Sequence, residues 1–422
     1  MRIWLLKDGE TLPVQDGSRK MRTWMLAEAL AKRGHDVVWW SSTFSHQRKE
    51  LVARSDETFR VCEGVTLKLL HSGSYRRNVS VRRLLHHRTL ARRFSECADS
   101  EAPPDIIVSA YPIIEVASQA VQFAKRNAIP IVVDVRDLWP DYFLEHIPRI
   151  LRTPANFALR GAYRQKQHII QNADSVVATT EGILRWALQT GGRERMPFDR
   201  PFHPGYPASN ASTAAESMVC PEYLRPFRDR TIFTFVGIFG SAYDLETVCR
   251  AAKVLADEGD ERVHFVFAGT GGRFDEISAQ ARGLPNVTMP GWLWKEQIDA
   301  LLQHSDVGLV PFYDGIPDAM PNKVFEYLSA GLPLMTCLSG ELRDLVESCR
   351  IGYYYRDGDH SSLLAGIRKI ASDGILVENM SKNARSVFEE RFTADTVYGA
   401  YAEHIEQLHA ASTTECVAKA AA

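Results

Sequence analysis

Asp318-Ala-Met-Pro321-Asn322-Lys323-Val-Phe-Glu326-Tyr-Leu-Ser-Ala-Gly331-Leu-Pro333 is the stretch that decides how this chain is read. Pro321 suits the first turn of a helix, where its missing N–H costs nothing. Gly331 can end that helix in a left-handed turn, and Pro333 blocks its continuation. The first-turn amides of such a helix point outward unpaired and attract anions. Lys323 adds a positive charge there. Glu326 follows one turn on, where a carboxylate can accept hydrogen bonds from a diol such as a ribose. These residues alone also fit an ordinary capped surface helix. Taken together, they suit a nucleotide diphosphate carrying something sugar-like.

The rest of the chain sets the bounds. At 422 residues it can hold two domains of ordinary size. It is 45% hydrophobic and 24% charged, as a soluble globular enzyme is. A net charge of −2 gives no case for a nucleic-acid partner. Cys62, Cys97, Cys220, Cys249, Cys337, Cys349 and Cys416 show no CxxC spacing. They read as reduced thiols of a cytoplasmic protein, without a disulfide frame or zinc site. The opening Met-Arg-Ile-Trp-Leu-Leu-Lys-Asp turns charged too soon for a signal peptide. No run approaches the ~18 apolar residues of a membrane span, so any membrane contact is expected to be peripheral.

Short apolar runs alternate with helical periodicity, which predicts an α/β chain with parallel sheets. Expected strands in the first half are Ile3–Leu6, Val37–Ser41, Ile106–Ser109, Ile131–Val135 and Ser175–Thr179, with a helix over Met21–Arg33. Pro201, Pro204, Gly205 and Pro207, followed by Ser, Thr and Ala, read as a linker. The pattern then restarts. Strands are expected at Thr231–Val236, Val263–Ala268, Val287–Met289, Val307–Val310 and Pro333–Cys337, and a helix at Leu245–Leu255. The last periodic segment, Thr396–His409, is a helix. The two doubly wound, Rossmann-like halves span 1–206 and 207–394, with a terminal helix at about 395–412 and a frayed tail at 413–422.

Asp318-x7-Glu326 and the wording Glu-Tyr-Leu-Ser-Ala-Gly-Leu-Pro resemble the carboxylate-x7-Glu motif of retaining family 4 glycosyltransferases of the GT-B fold. The resemblance implies two Rossmann-like domains around a cleft, a donor-binding second domain, and a terminal helix that crosses back to an acceptor-side first domain. Glu326 would bind the donor ribose and Lys323 the diphosphate, with Pro321 and Asn322 on the donor side and Asp318 beside the transferred sugar. The family more often has Glu at the first position, and Asp is one methylene shorter. Arg-Gly-His-Asp-Val-Val (33–38) resembles the step into the second strand of many such enzymes.

Gly237-Ile-Phe-Gly240-Ser-Ala-Tyr-Asp244 follows a strong strand and precedes a helix. Its glycines let backbone amides approach a pyrophosphate, and Asp244 can cap the helix. Many family 4 enzymes carry an Arg and a Lys in this loop. Their absence here resembles a WbuB-type subgroup of bacterial surface-polysaccharide transferases. Ala268-Gly-Thr-Gly-Gly272 lacks a third glycine at position 274, which is Phe, so it is not a dinucleotide fingerprint. It resembles the family's own GxG. Asn286-Val-Thr-Met-Pro-Gly-Trp292 resembles the stretch that meets the nucleotide base. Trp292 either contacts that base or closes the core.

In the first half, Ile131-Val-Val-Asp134-Val-Arg136-Asp137-Leu-Trp139-Pro140 leaves a buried strand and offers Arg136 and Asp137 at its carboxyl end, where α/β sheets bind ligands. Related enzymes often have His where Arg136 stands. A guanidinium cannot act as a base, but it can grip a departing diphosphate. Asp137 accepts the acceptor's proton or merely pairs with Arg136. Gly17 and Arg22 belong to the loop that the resemblance places on the acceptor and phosphate side. Tyr75–Phe94 is locally extreme, with no acid from Gly64 to Ser95. Val81, Leu84, Leu85 and Leu90 can share one helix face ringed by Arg76, Arg77, Arg82, Arg83 and Arg88, as helices on anionic membranes do. Asp357-Gly-Asp359 reads as a loop, and no metal or other cofactor is expected.

The expectation is a cytoplasmic enzyme, peripheral on the inner membrane face. It would move a hexosyl or N-acetylhexosaminyl group from a nucleotide-diphosphate sugar, UDP by family habit, to a lipid-linked saccharide in O-antigen, capsule or exopolysaccharide assembly. A nucleotide-sugar epimerase, a non-catalytic nucleotide-sugar-binding partner subunit and a protein that only binds through its basic patch are the alternatives.

Overall fold

The computed structural model describes residues 1–15, 18–141, 149–208, 220–313 and 320–421. Contacts divide the chain into two units: Met1–His203 with Val397–Ala422, and Pro204–Thr396.

The first unit is built on an eight-stranded sheet. Its order is Arg200–Pro201, Ser175–Ala178, Ile131–Val135, Ile106–Tyr111, Arg2–Leu6, Asp36–Ser42, Val65–Leu70 and Glu57–Cys62. Every residue of Ile106–Tyr111, Ile131–Val135 and Ser175–Ala178 is buried, as central parallel strands are. Burying each large aliphatic side chain contributes about 1.5–3 kcal/mol. Because the strands run parallel, their carboxyl ends share one rim. Lys7, Asp8, Arg136 and Asp137 follow directly from those ends.

Only the edge strand Glu57–Cys62 is antiparallel, in a hairpin with Val65–Leu70. The sequence reading has no strand there. This edge is polar and half-exposed, so it lacks the apolar run that marks the central strands.

The second unit holds a six-stranded, all-parallel sheet. Its order is Val287–Gly291, Val263–Ala268, Thr231–Val236, Val307–Val310, Leu334–Thr336 and Gly352–Tyr354. Separate apolar cores cover its two faces. One is led by Phe233, Phe265 and Phe267 and the other by Phe325, Tyr327 and Leu328. The edge strand Gly352–Tyr354 also escapes the sequence reading, being three residues long and half-buried.

The last helix runs Ala394–Ala421, through the stretch from 413 that the sequence reading leaves as a frayed tail. Tyr401 stacks on Phe202 at 4.5 Å, and His404 Nε2 meets Ser175 Oγ at 3.1 Å. Glu406 accepts from Arg33 Nε at 2.8 Å and pairs with His35. These contacts hold the helix on the first unit.

Candidate functional site

The helix at the centre of the sequence reading runs Asn322–Ser329, with Pro321 in extended backbone just before it. Gly331 ends it at φ +75°, and the Gly331 and Leu332 amides donate back to Leu328 and Tyr327. Tyr327 fixes the helix on the sheet. Its hydroxyl accepts from the Val236 amide at 2.9 Å, and its ring fills the space that any Cβ on Gly308 would need.

Lys323 and Glu326 are both buried on this helix. Lys323 Nζ has no hydrogen-bond partner among the described residues. It lies 3.7 Å from the Phe235 ring centre and 3.8 Å from that of Tyr243. Burial drives its pKa well below that of an ordinary lysine, against the smaller opposing effect of Glu326. Ring faces offset part of that cost but cannot replace hydrogen bonds. A Cβ on Gly237 would stand 3.0 Å from Lys323 Nζ, so the lysine tip lies close against the glycine loop and a side chain at 237 would crowd it. Glu326 Oε1 accepts from the Tyr206 hydroxyl at 2.9 Å. The backbone of Tyr206 is tied to Phe392 and Ala394.

The glycine loop 237–240 rests on a second one. The Gly237 amide donates to Ala268, Phe239 to Thr270, and Arg273 back to Phe239. Gly269 has φ +135°, and a Cβ there would fall 1.8 Å from the Gly237 carbonyl oxygen. The glycines of 268–272 thus allow two backbones to touch. Gly240 continues the first loop, Ile238 is exposed on it, and Asp244 caps the next helix by accepting from Thr247 at 3.0 Å. Trp292 is 59% exposed, so it does not close the core.

The first unit uses its strand ends differently. Arg22 grips Asp134 with Nε and Nη2, at 2.9 and 3.1 Å, and donates Nη1 to the Phe202 and His203 carbonyls. Arg136 gives Nε and Nη2 to the same carboxylate, at 2.9 and 2.8 Å, and Nη1 to Glu10 and Thr23. Glu10 caps the first helix by accepting from the Thr23 amide at 3.0 Å. Burial works to raise the Asp134 pKa, but the two guanidiniums outweigh it and hold the group ionised.

Arg22 is therefore an internal tie rather than a loop residue awaiting phosphate. Arg136 has its guanidinium engaged by Asp134, Glu10 and Thr23, not free for a bidentate phosphate grip. Nor does Asp137 pair with Arg136. Asp137 stands at the rim as an exposed residue, yet its carboxyl is crowded enough for desolvation to raise its pKa, against Lys7 and Arg83.

The basic segment becomes a helix only at Val81–Ala98, capped by Ser80. Its apolar residues part company. Leu90 and Phe94 face the core, while Val81 (73%), Leu84 and Leu85 (53%) face solvent beside Val79. Arg76, Arg77, Arg82 and Arg88 are exposed around them, and Arg83 is half-buried. His86 is buried against Asp8, with Nε2 3.1 Å from Oδ2. No described helix is long and apolar enough to cross a membrane. Among the described residues, no group of three or more His, Cys, Asp or Glu could hold a metal ion. Asp318 and Gly17 lie outside the described residues.

Two family descriptions match the sequence: "Glycosyl transferases group 1" over residues 222–387 and "Glycosyl transferase 4-like domain" over residues 20–197. Between them they take in most of the chain. It belongs to the group 1, 4-like glycosyltransferases.

Solved structures give this glycosyltransferase its GT-B fold. Sucrose-phosphate synthase from Thermosynechococcus elongatus aligns with a TM-score of 0.73 at 17% identity, over 97% of this chain and 99% of the other. HepE from Anabaena, in complex with UDP-glucose, aligns at 0.65 and 15%, over 96% and 100%. WaaG, a glycosyltransferase involved in lipopolysaccharide biosynthesis, aligns at 0.63 and 14%, over 96% and 99%. No curated protein matches the sequence significantly.

Sequence reasoning missed three residues of this glycosyltransferase's rims. Glu10 and Asp134 are buried acids; Glu10 meets Arg136 from far along the chain, and Asp134 meets distant Arg22 as well as nearby Arg136. One signal was available: a charge inside the apolar run Ile-Val-Val-Asp-Val requires a cation nearby. Tyr206 sits in a Pro/Gly linker, and nothing local marks it as the partner of Glu326.

Proposed function

We propose that this glycosyltransferase moves a sugar, with retention, from a UDP-type donor to a hydroxyl of a lipid-linked saccharide. The setting is bacterial surface-polysaccharide assembly at the inner face of the cytoplasmic membrane. The observation that carries the donor half is Lys323. It is a buried amine without a hydrogen-bond partner among the described residues, set against a glycine loop, with Glu326 one turn further on the same helix. Burial disfavours the charged form of such an amine, and an arriving diphosphate favours its protonation into a charge-assisted donor. Glu326 accepts the ribose diol. Uridine is favoured because HepE was solved with UDP-glucose and a trehalose-6-phosphate synthase with a UDP-fluoroglucose.

In the reaction the acceptor oxygen bonds the anomeric carbon on the face from which the diphosphate leaves. The breaking C–O bond's electrons depart with UDP. Lys323 and the helix amides offset that charge, and Asp137, whose raised pKa suits a base, takes the hydroxyl proton. Exposed Val79, Val81, Leu84 and Leu85 among arginines support docking on an anionic bilayer, at roughly 1 kcal/mol per basic residue near the surface.

Calorimetric titration of UDP, GDP and ADP into wild type and Glu326→Ala tests the donor site. One diphosphate should bind wild type and bind the variant at least about tenfold more weakly, the cost of lost charge-assisted hydrogen bonds. Equal affinity in both proteins would remove Glu326 from the site.

A further inference from the structure

Part of the first unit's rim carries two cations, Lys49 and Arg83, with no carboxylate at ion-pair distance among the described residues, although Asp137 and Glu115 feel the charge of Arg83. Lys49 and Arg83 both lie over Tyr75, their charged ends 5.0 and 5.9 Å from its ring centre. One residue tethers both. Lys49 Nζ donates to Asn78 Oδ1 at 2.6 Å, and Arg83 Nη1 donates to the Asn78 carbonyl at 2.8 Å. Among the described residues neither cation has an ion pair, and the buried Arg83 Nε has no hydrogen-bond partner.

The neighbouring imidazole does not relieve this charge. His46 Nδ1 meets Lys49 Nζ at 3.4 Å and the Tyr75 hydroxyl at 2.6 Å. A lysine can only donate, so Nδ1 accepts and the ring proton belongs on Nε2. Burial, then Lys49 and Arg83, push the His46 pKa down to about 4, so the ring is neutral. Burial and Arg83 also lower the pKa of Lys49. Lys49 holds φ at +58°, a backbone that non-glycine residues seldom adopt unless their surroundings impose it. Lys7 and Arg83 also both act electrostatically on the Asp137 carboxyl.

Cations held together in a half-buried site repel one another until an anion joins them. We infer that Lys49 and Arg83, steadied by Asn78 and Tyr75, bind a phosphoryl group of the acceptor substrate. This rests on the transferase reading above and names the acceptor class, a phosphorylated compound whose free hydroxyl then lies toward Asp137. The phosphoryl group could be the diphosphate of a lipid carrier or the phosphate of a free sugar phosphate. The recognising chemistry is the same for both.

The test titrates farnesyl diphosphate, glucose 6-phosphate and inorganic pyrophosphate into UDP-saturated protein, in wild type, Lys49→Ala/Arg83→Ala and Lys49→Arg. Melting curves would check that each variant is folded. The inference expects at least one phosphate to bind the UDP-loaded wild type. The double variant should bind it about tenfold or more weakly with UDP affinity unchanged, and Lys49→Arg should retain most of it. Preference for the farnesyl compound assigns a lipid carrier, and preference for glucose 6-phosphate assigns a sugar phosphate. No phosphate binding beside UDP, or binding unchanged in the double variant, overturns the inference. So does loss of UDP affinity in the double variant, which would place these cations on the donor's diphosphate. Failure of UDP to bind wild type would instead sink the donor reading on which the inference stands.

Discussion

The strand-end rims of the two units handle buried positive charge in opposite ways. In the first, Arg22 and Arg136 converge on Asp134, and Glu10 takes the remaining charge of Arg136. Two cations and two anions cancel inside the fold. In the second, Lys323 is just as buried but has only aromatic faces and a glycine loop around it. On the proposed function, the difference separates charges that build the structure from a group kept for a ligand. Chemical type alone does not sort them, since both rims present cations at the carboxyl ends of parallel strands.

Removing one member of each rim sharpens that contrast. The largest effect is expected for Asp134→Ala, which strands two guanidiniums in the interior. Breaking such a buried pair costs about 3–5 kcal/mol, a large part of a domain's whole stability. Urea unfolding should show the loss, and near-wild-type stability would mean that the network is not structural.

Lys323→Met should do the reverse. It removes a buried amine that has no hydrogen-bond partner among the described residues and keeps the volume, so stability should hold or rise. Turnover should fall by about 10²–10³, the usual effect of losing one group that stabilises developing negative charge. A stability loss as large as that of Asp134→Ala would erase the distinction between the rims.

The smallest effect concerns pH and touches both units alike. Burial holds His87 and His404 in the first unit and His264 in the second neutral, each pushed down to about 4. In the unfolded chain they protonate near 6.5. Between those values the unfolded state binds more protons, so stability should fall as pH drops from about 6.5 to about 4. His264→Gln should flatten that slope for the second unit. An unchanged slope would show that His264 is not among the groups responsible.

Much of this was legible in the sequence. Ile131–Val135, Thr231–Val236, Val263–Ala268 and Val307–Val310 form strands at the bounds their apolar runs predict, because strands buried in parallel sheets must be apolar throughout. Lys323 and Glu326 share one helix because their spacing is local, and Pro321 and Gly331 mark its ends. Edge strands were not legible. Glu57–Cys62 is half-exposed and Gly352–Tyr354 is only three residues long.

Pairings across distant segments were also hidden. The pairs Arg22–Asp134 and Arg136–Glu10 join residues more than a hundred positions apart, so nothing local marks these arginines as internally engaged. The basic segment showed its charge but not its orientation. Its register on the first unit buries Leu90 and leaves Val81 and Leu85 to solvent, which only packing decides.

Proton uptake on UDP binding is the decisive readout of the role of Lys323. If Lys323 stands uncompensated with a depressed pKa, the diphosphate must raise that pKa on binding. Calorimetry in buffers of different ionisation heats, at about pH 8, above the phosphate titration and below that of the uracil ring, would count the protons. The account predicts net uptake in wild type that disappears in Lys323→Met. Tight UDP binding with no uptake in wild type would contradict it, because Lys323 would then not be the group that meets the ligand's charge.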